Sequence, residues 1–477
     1  MPNSGNEPSN MKKHLLSFVV ALAAISPFST IAAERIQKSE RYPQYWEYGG
    51  KPILLLGGSV EDNLFQIPDL IELVEQLDLL KKAGGNYVRN TMSCRDEGNV
   101  WPFAKNESGD KFDLAQWNPE YWNRFSRFLD ETEKRGIIVQ IEVWATFDFY
   151  RDIWARNPFN PDNNINYTAE ETGLPTKVDS HPTKAENNFF WSVPGERNQE
   201  NVLTWQQAFA DKLLSISLPH GNVLYCMDNE TSVTPEWGWF WSRHIRAAAQ
   251  KQGLHVETTE MWDPWDLADR MHDATFDHRD IYSFVDVSQN NHQKGQAHWD
   301  NAQKQRARIA EAVRPLNNVK IYGADSGRYG SDRDGIERFC RNVFGGMASA
   351  RFHRPDSGLG LNLKAQAVIQ SMRVVTDAMD LVACAPYNDL LGERDGNEAY
   401  CFANPGTEAA VFFPDGGSVT LDVSKFDEDE TVEVRWLPVL DSEWKPMRSI
   451  SLEPVHPQLE LTAPGKGYWV VLVQGKD

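Results

Sequence analysis

The chain has 477 residues, 41% hydrophobic and 24% charged, with a formal net charge of −20. That length buries a large core and leaves room for two domains, and the composition excludes a disordered or collagen-like chain. With 48 Lys and Arg against 68 Asp and Glu, no broad basic surface remains to hold a nucleic-acid backbone, which excludes DNA and RNA as partners.

Residues 1–33 read as a leader and signal peptide. Lys12 and Lys13 form a positive region, residues 15–25 an apolar run, and Thr30-Ile31-Ala32-Ala33 a small-residue site. The run is too short to be a transmembrane segment, and no later stretch reaches the ~20 residues a span requires. The expectation is an exported protein, periplasmic or secreted.

The first strand is predicted over 52–58, P-I-L-L-L-G-G, with Ser59, Glu61, Asp62 and Asn63 at its end. Leu70, Leu73, Val74, Leu77 and Leu80 then recur at a helical period. A second strand over 86–90 ends in Arg89-Asn90, and a helix over 119–135 is stopped by Gly136. The third strand, 137–143, leads to Trp144 and a polar, aromatic excursion through Phe190. Loops beyond about 15 residues tend to be functional, so Trp144, Phe147, Tyr150 and Trp154 are expected to rim a cleft and stack on sugar. The 17 Trp residues exceed what a core needs and point the same way.

The fourth strand is the most informative. Val223 to Met227 is an unbroken, mostly apolar run, and Asp228, Asn229 and Glu230 arrive together at its end. Such a run suits a strand buried on both faces, and acids at the carboxyl end of a parallel strand stand where barrel active sites lie. The plain alternative is a turn in which Asp228 or Thr231 caps the next helix. After a helix over 237–251, a strand over 255–259 leads to Glu260 and Trp262, and another over 283–287 leads to Asn290, Asn291 and His292. A strand over 319–324 ends at Asp325, and one over 347–352 carries Arg351 and leads to His353.

Eight such units predict an α/β chain folded as a (β/α)8 TIM barrel. An open dinucleotide-binding sheet is disfavoured, because Gly57-Gly58 lacks the third glycine of that fingerprint. From about residue 389 the helical period gives way to short β runs and turn signals such as Asn404-Pro405-Gly406, which predict a small all-β sandwich. The domains expected are thus 1–33 leader, 34–388 barrel and 389–477 sandwich. Five cysteines fit no zinc spacing and leave one unpaired, with Cys384 and Cys401 a candidate bridge. No metal or cofactor is expected, and the oligomeric state is left open.

A barrel whose fourth strand ends in Asn-Glu resembles the clan A glycoside hydrolases. The resemblance implies that Glu230 is the general acid/base, that the carboxylate ending strand seven, Asp325, is its partner, that Asn229 contacts a sugar hydroxyl, and that Arg89 lies near the nucleophile. Asp325 departs from the Glu usual there, and Arg351-Phe352-His353 stands where a Trp is usual. The order of P-I-L-L-L-G-G, barrel and a tail ending V-R-W-L-P…G-Y-W-V-V-L-V is also similar to the apiosidase-like bacterial hydrolases, whose tail domain is often called collagen-binding, a property not expected of this chain.

The chemistry asks for two carboxylates, one protonated to release the leaving oxygen and one ionised to attack or to activate water. Glu230 as donor is expected to have a raised pKa, from an apolar wall of Trp237 or Trp262 and from the charge of Asp325. Asp228 and Glu260 are reserve acids. Candidates for substrate binding are Arg89, Asn229, Asp62, Asn63, Trp144, Glu260, Trp262, His292, Arg351 and His353. The expected function is hydrolysis of a plant or algal oligo- or polysaccharide. A polysaccharide lyase using His292, His353 and Arg351 on a uronate, and a glycan-binding barrel without activity, are the alternatives. Arg351, His353 and Arg354 are also the candidate cluster for an acidic or sulfated sugar.

Overall fold

The computed structural model describes residues 34–185, 187–324, 330–426, 431–452 and 457–476. The expected signal peptide and Asp325 lie outside the described residues. No described helix is long and apolar enough to cross a membrane.

Parallel strands β1 (Leu55–Gly58), β2 (Tyr87–Thr91), β3 (Ile138–Trp144), β4 (Val223–Asp228), β5 (Thr258–Thr259), β6 (Val285–Asp286), β7 (Leu316–Asn317) and β8 (Ser349–Phe352) follow one another along the chain. A continuous ladder runs in the order β5-β4-β3-β2-β1-β8, and β6 pairs with β7 apart from it. Backbone hydrogen bonds carry the ring on: Ser283 N–H to Thr258 O at 3.0 Å on one side, and on the other Ala348 N–H to Leu316 O at 2.8 Å, Arg351 N–H to Asn318 O at 3.1 Å and Ile321 N–H to Arg351 O at 2.9 Å, with Ile321 bridging Phe352.

The fold is therefore TIM-barrel-like, with a ladder that is not continuous through the β6–β7 sector where the sequence predicted a closed barrel. The cause is local. Hydroxyl oxygens accept strand N–H groups there in place of carbonyls: Ser283 from Thr258, Ser288 from Val319 and Ser349 from Asn318, at 3.1, 2.9 and 2.9 Å. Strand seven also begins three residues ahead of the predicted 319–324, because Leu316 and Asn317 make its ladder pairs.

The alternation of side chains explains the apolar runs. Leu54, Leu56, Val88, Val139, Ile141, Tyr225 and Met227 face the surrounding helices, while Leu55, Tyr87, Ile138, Leu224, Cys226, Phe284 and Val319 fill the inside. The helices are α1 (Leu70–Lys82), α2 (Pro119–Lys134), α3 (Glu200–Ser217), α4 (Pro235–Lys251), α5 (Gly295–Arg308), α6 (Asp332–Phe344) and α7 (Leu363–Asp377). Asp69 caps α1 by accepting from Ile71 N–H, and α2 starts with Pro119 behind the Asn118 cap. After β5 only a short turn, Asp273–Phe276, takes the place of a full helix. A three-stranded hairpin sheet of Gln37–Lys38, Trp46–Tyr48 and Lys51–Ile53 precedes β1. Its Trp46 enters the inner layer and donates to Asn317 Oδ1 at 2.9 Å.

Beyond α7 the chain is antiparallel. Strands β9 (Ala385–Pro386), β11 (Tyr400–Asn404), β12 (Glu408–Phe413), β14 (Thr431–Pro438), β15 (Arg448–Ser451) and β17 (Trp469–Gly475) form one sheet in the order β9-β11-β12-β17-β14-β15. Strands β10 (Leu391–Gly392), β13 (Ser418–Asp422) and β16 (Gln458–Thr462) form the other. The larger sheet is buried on both faces. Cys401, Val411, Val471 and Val473 meet the smaller sheet, while Tyr400, Phe402, Phe412, Val470 and Leu472 join the cluster of the barrel helices. The expected Cys384–Cys401 bridge is absent, and all five cysteines are free and buried. Its partners face opposite ways: Cys384 belongs to the barrel-side cluster and Cys401 to the core between the two sheets.

Candidate active site

β4 delivers three polar residues to the carboxyl end of the barrel. Glu230 sits in the left-handed region at φ 58°, a conformation that costs a non-glycine residue on the order of 1 kcal/mol. Neighbours on both sides hold it. Asn229 N–H donates to Trp144 O at 3.1 Å and Thr231 N–H to Met261 O at 2.9 Å, while the Thr146 hydroxyl donates to Asn229 O.

The Glu230 side chain is 16% exposed and forms an ion pair with Lys320, which follows β7 and is itself 2% exposed. Gln289 Nε2 adds a hydrogen bond at 3.2 Å. Burial pushes the carboxyl up, but the Lys320 ammonium and the Arg89 guanidinium more than offset it and hold Glu230 down to about 2. The sequence predicted a raised value from a Trp wall. Trp237 instead donates its Nε1–H to Asp228 at 2.9 Å, and Trp262 turns away to donate to Thr275 at 2.8 Å.

Arg89 ties the end of β2 to this turn. Its Nε donates to Glu142 and its Nη2 to Asn229 Oδ1, both at 2.6 Å, and its Nη1 lies 3.1 Å from Asp62. Asp62 also meets Arg95 at 3.1 Å, Arg351 at 3.3 Å and His353 Nε2 at 3.2 Å. Burial pushes its pKa up, and Arg89, His353 and Arg351 outweigh that and hold it well below the usual carboxylate range. Asp62, Arg89, Arg351 and His353 thus form one buried network beside Glu230. Arg351 is anchored further by donating to Val319 O at 2.8 Å and to the Ser59 hydroxyl.

A second acid pair lies deeper. Asp228 N–H and Met261 N–H both donate to Glu260 Oε1 at 2.9 Å. Burial pushes both carboxyls up, Asp228 to about 8 with Glu142 adding to it, and the charge of Asp228 adds to the rise at Glu260. Neither residue lines the cleft that holds Glu230.

The cleft in front of Glu230 has a volume of about 570 Å³ and is walled by Phe147, His181, Lys184, Asp263, Trp265, Gln289, His292 and Tyr322. Trp265 is 54% exposed, with the His292 ring 6.3 Å away. Tyr322 lies between the rings of His292 and His353, at 6.5 and 4.8 Å. Asp263 pairs with Lys184 and accepts from the Ser232 hydroxyl at 3.3 Å.

Of the residues singled out in the sequence, Glu230 and His292 line this cleft, and Asn229, Arg89, Asp62, Arg351 and His353 support it from behind. Asn63 is a loop brace that donates to Ser93 O at 3.2 Å and to Asn99 Oδ1 at 2.7 Å. Trp144, Trp154 and Trp262 are core residues, exposed by 1, 0 and 2%. The excursion after β3 is long enough to own a core, and Trp144 packs there on Phe189 and Trp241, while Trp154 packs on Phe149. From that stretch Phe147 reaches the cleft, and Tyr150 is half-buried beside it. Lys320, Gln289, Tyr322 and Trp265 were not foreseen. Lys320 had a signal, since a lone charge inside V-K-I-Y must find a partner. Among the described residues, no group of three or more His, Cys, Asp or Glu is arranged to hold a metal.

No known family profile matches the chain, and no curated protein is similar to it in sequence. Solved structures are similar in fold. A glycoside hydrolase family 5 protein from Bacteroides vulgatus ATCC 8482 is 13% identical, with 92% of this chain and 93% of that one covered at a TM-score of 0.63. Another glycoside hydrolase is 12% identical, with 93% and 98% covered at a TM-score of 0.62. At these identities the likeness is one of fold, a TIM-barrel-like part followed by antiparallel sheet.

Proposed function

We propose that this chain is an exported glycoside hydrolase acting on a plant or algal oligo- or polysaccharide, with Glu230 and Asp325 as its two catalytic carboxylates. The observation that carries the reading is Glu230 itself: an acid at the end of β4, in left-handed backbone, with its carboxylate at the wall of a 570 Å³ cleft. Glycosidic cleavage needs such an acid and a second one across the bond. Tyr322 lines the same cleft, and Asp325 follows it by three residues, a reach of at most about 10 Å of chain. The likeness in fold to glycoside hydrolases supports the same reading. The finer resemblance to apiosidase-like hydrolases, and the division into a barrel over 34–388 and a sandwich over 389–477 without chemistry of its own, belong to this proposal too.

Lys320 sets the order of events. While it is paired, Glu230 is a carboxylate. Once bound substrate draws the ammonium away, burial raises the Glu230 pKa, the carboxylate takes up a proton from water, and it then gives that proton to the leaving oxygen. The lyase alternative loses support, because Arg351 and His353, its charge-neutralising candidates, are engaged by Asp62.

The test is a panel of plant and algal oligosaccharides with wild type, Glu230→Gln and Asp325→Asn. Glu230→Gln is expected to lower turnover of a natural leaving group by about two to four orders of magnitude, and of an activated leaving group much less. Full activity in either variant, or cleavage that releases an unsaturated product absorbing in the near ultraviolet, removes the reading.

A further inference from the structure

At the opposite end of the barrel from Glu230, a cavity of about 620 Å³ opens between the first hairpin and the amino-terminal ends of β5, β6 and β7. His255 leads into β5, Arg279 and Ser283 into β6, and Arg314 into β7, while Lys38 and Glu40 come from the hairpin and Arg246 from α4. In a chain of net charge −20, this wall carries Lys38, Arg246, Arg279 and Arg314 against two carboxylates, Glu40 and Glu257. Glu257 is already engaged. Its Oε1 accepts from Lys38 N–H at 3.2 Å and lies 3.4 Å from His255 Nε2.

The arginines are positioned without being neutralised. Arg246 Nη1 donates to the carbonyls of Asp280 and Ile281. Arg314 Nη2 donates to the carbonyls of Thr275 and Phe276, at 2.9 and 2.7 Å. Carbonyls orient a guanidinium but carry no countercharge. Arg314 is 4% exposed, and its Nε has no hydrogen-bond partner among the described residues. Burial, and then the charge of Arg279, pushes it down to about 10, although Asp277 counters in part. A buried guanidinium with an idle N–H, facing other cations across an open cavity, lacks an anion.

We propose that this cavity binds a tetrahedral oxyanion group, a phosphate or a sulfate ester, held by Arg314 and Arg279 with Lys38 at the rim. Guanidinium groups match the geometry of such oxygens, and the partly buried setting strengthens the pairing. The site lies outside the cleft and does not depend on the reaction proposed there.

Calorimetry on the full chain at fixed ionic strength tests this with two probes, inorganic pyrophosphate and a sulfated disaccharide, against a chloride reference. Saturable binding of one of them is expected, weakened at least tenfold in Arg279→Glu and in Lys38→Glu, and unchanged in Glu230→Gln. The probe bound more tightly identifies whether the group arrives free or on a glycan. Both substituted side chains are exposed, so circular dichroism should show folded variants. Failure of both probes to saturate in the millimolar range, equal affinity in Arg279→Glu and wild type, or loss of binding in Glu230→Gln overturns the proposal.

Discussion

Lys320 and Glu230 meet across the barrel, one following β7 and the other following β4, with the ammonium almost fully buried and the carboxylate at the cleft wall. Without the cation, burial would keep Glu230 protonated at higher pH; with it, the carboxyl is held down to about 2.

Lys320→Met should therefore move the Glu230-dependent limb of the pH–rate profile upward by about one to three pH units. If Glu230 acts as an ionised group, the acidic limb moves, since activity is lost as pH falls through its pKa. If it donates a proton, the alkaline limb moves. A profile with neither limb displaced would mean that Lys320 does not control this acid.

Asp62 pairs with Arg89, Arg95, Arg351 and His353 together. Asp62→Ala removes the carboxylate that pairs with buried Arg351, while Arg89 keeps Glu142, and removing one partner of a buried pair costs about 3 to 5 kcal/mol. Denaturant unfolding should show a loss of that size. Because its folded pKa is lowered, the stabilisation from Asp62 is present above the unfolded pKa of about 3.9 and is lost as pH falls through the folded value.

Asp228 works in the other direction. Its carboxyl is raised to about 8, so its burial penalty grows as pH rises from about 4 and levels off above the folded value. Asp228→Asn removes the charge and keeps an acceptor for Trp237. Melting curves taken between pH 4 and 9 should show the variant gaining on wild type as pH increases; a constant difference would contradict the raised value.

Trp265 and Trp144 should separate function from folding. Trp265 is half exposed at the cleft, so Trp265→Ala should raise KM for a glycan and leave the melting temperature near wild type. Trp144→Ala opens the core of the excursion and should cost about 3 to 5 kcal/mol of stability. Equal effects of the two on stability would refute the assignment of Trp265 to the cleft.

The particular residues show what a sequence can carry. The end of β4 was legible because a short uninterrupted apolar run suits a strand buried on both faces, and its polar successors then emerge at one end. The same logic failed for Trp144: the last residue of β3 lies next to the mouth, yet its ring takes the outward side of the strand and is covered by the excursion. Arg351 and His353 read as ligand groups, since nothing in the sequence says that Asp62, nearly 300 residues earlier, will bind both. Strand seven was read three residues late, because its pairs with β6 fall on Leu316 and Asn317 while Ile321, inside the predicted stretch, bridges β8.

The larger antiparallel sheet, apolar on both faces, bears on how this protein can be shortened or recombined. Ending the chain at residue 384 would bare the helix surfaces that Phe402, Phe412 and Leu472 now cover, and the liberated tail would show a greasy sheet to water. Separated, each part would expose the apolar surface that the other now covers. Calorimetry of residues 34–477 should give one cooperative melt rather than two, and evolution would have had to alter both surfaces together to dispense with either half.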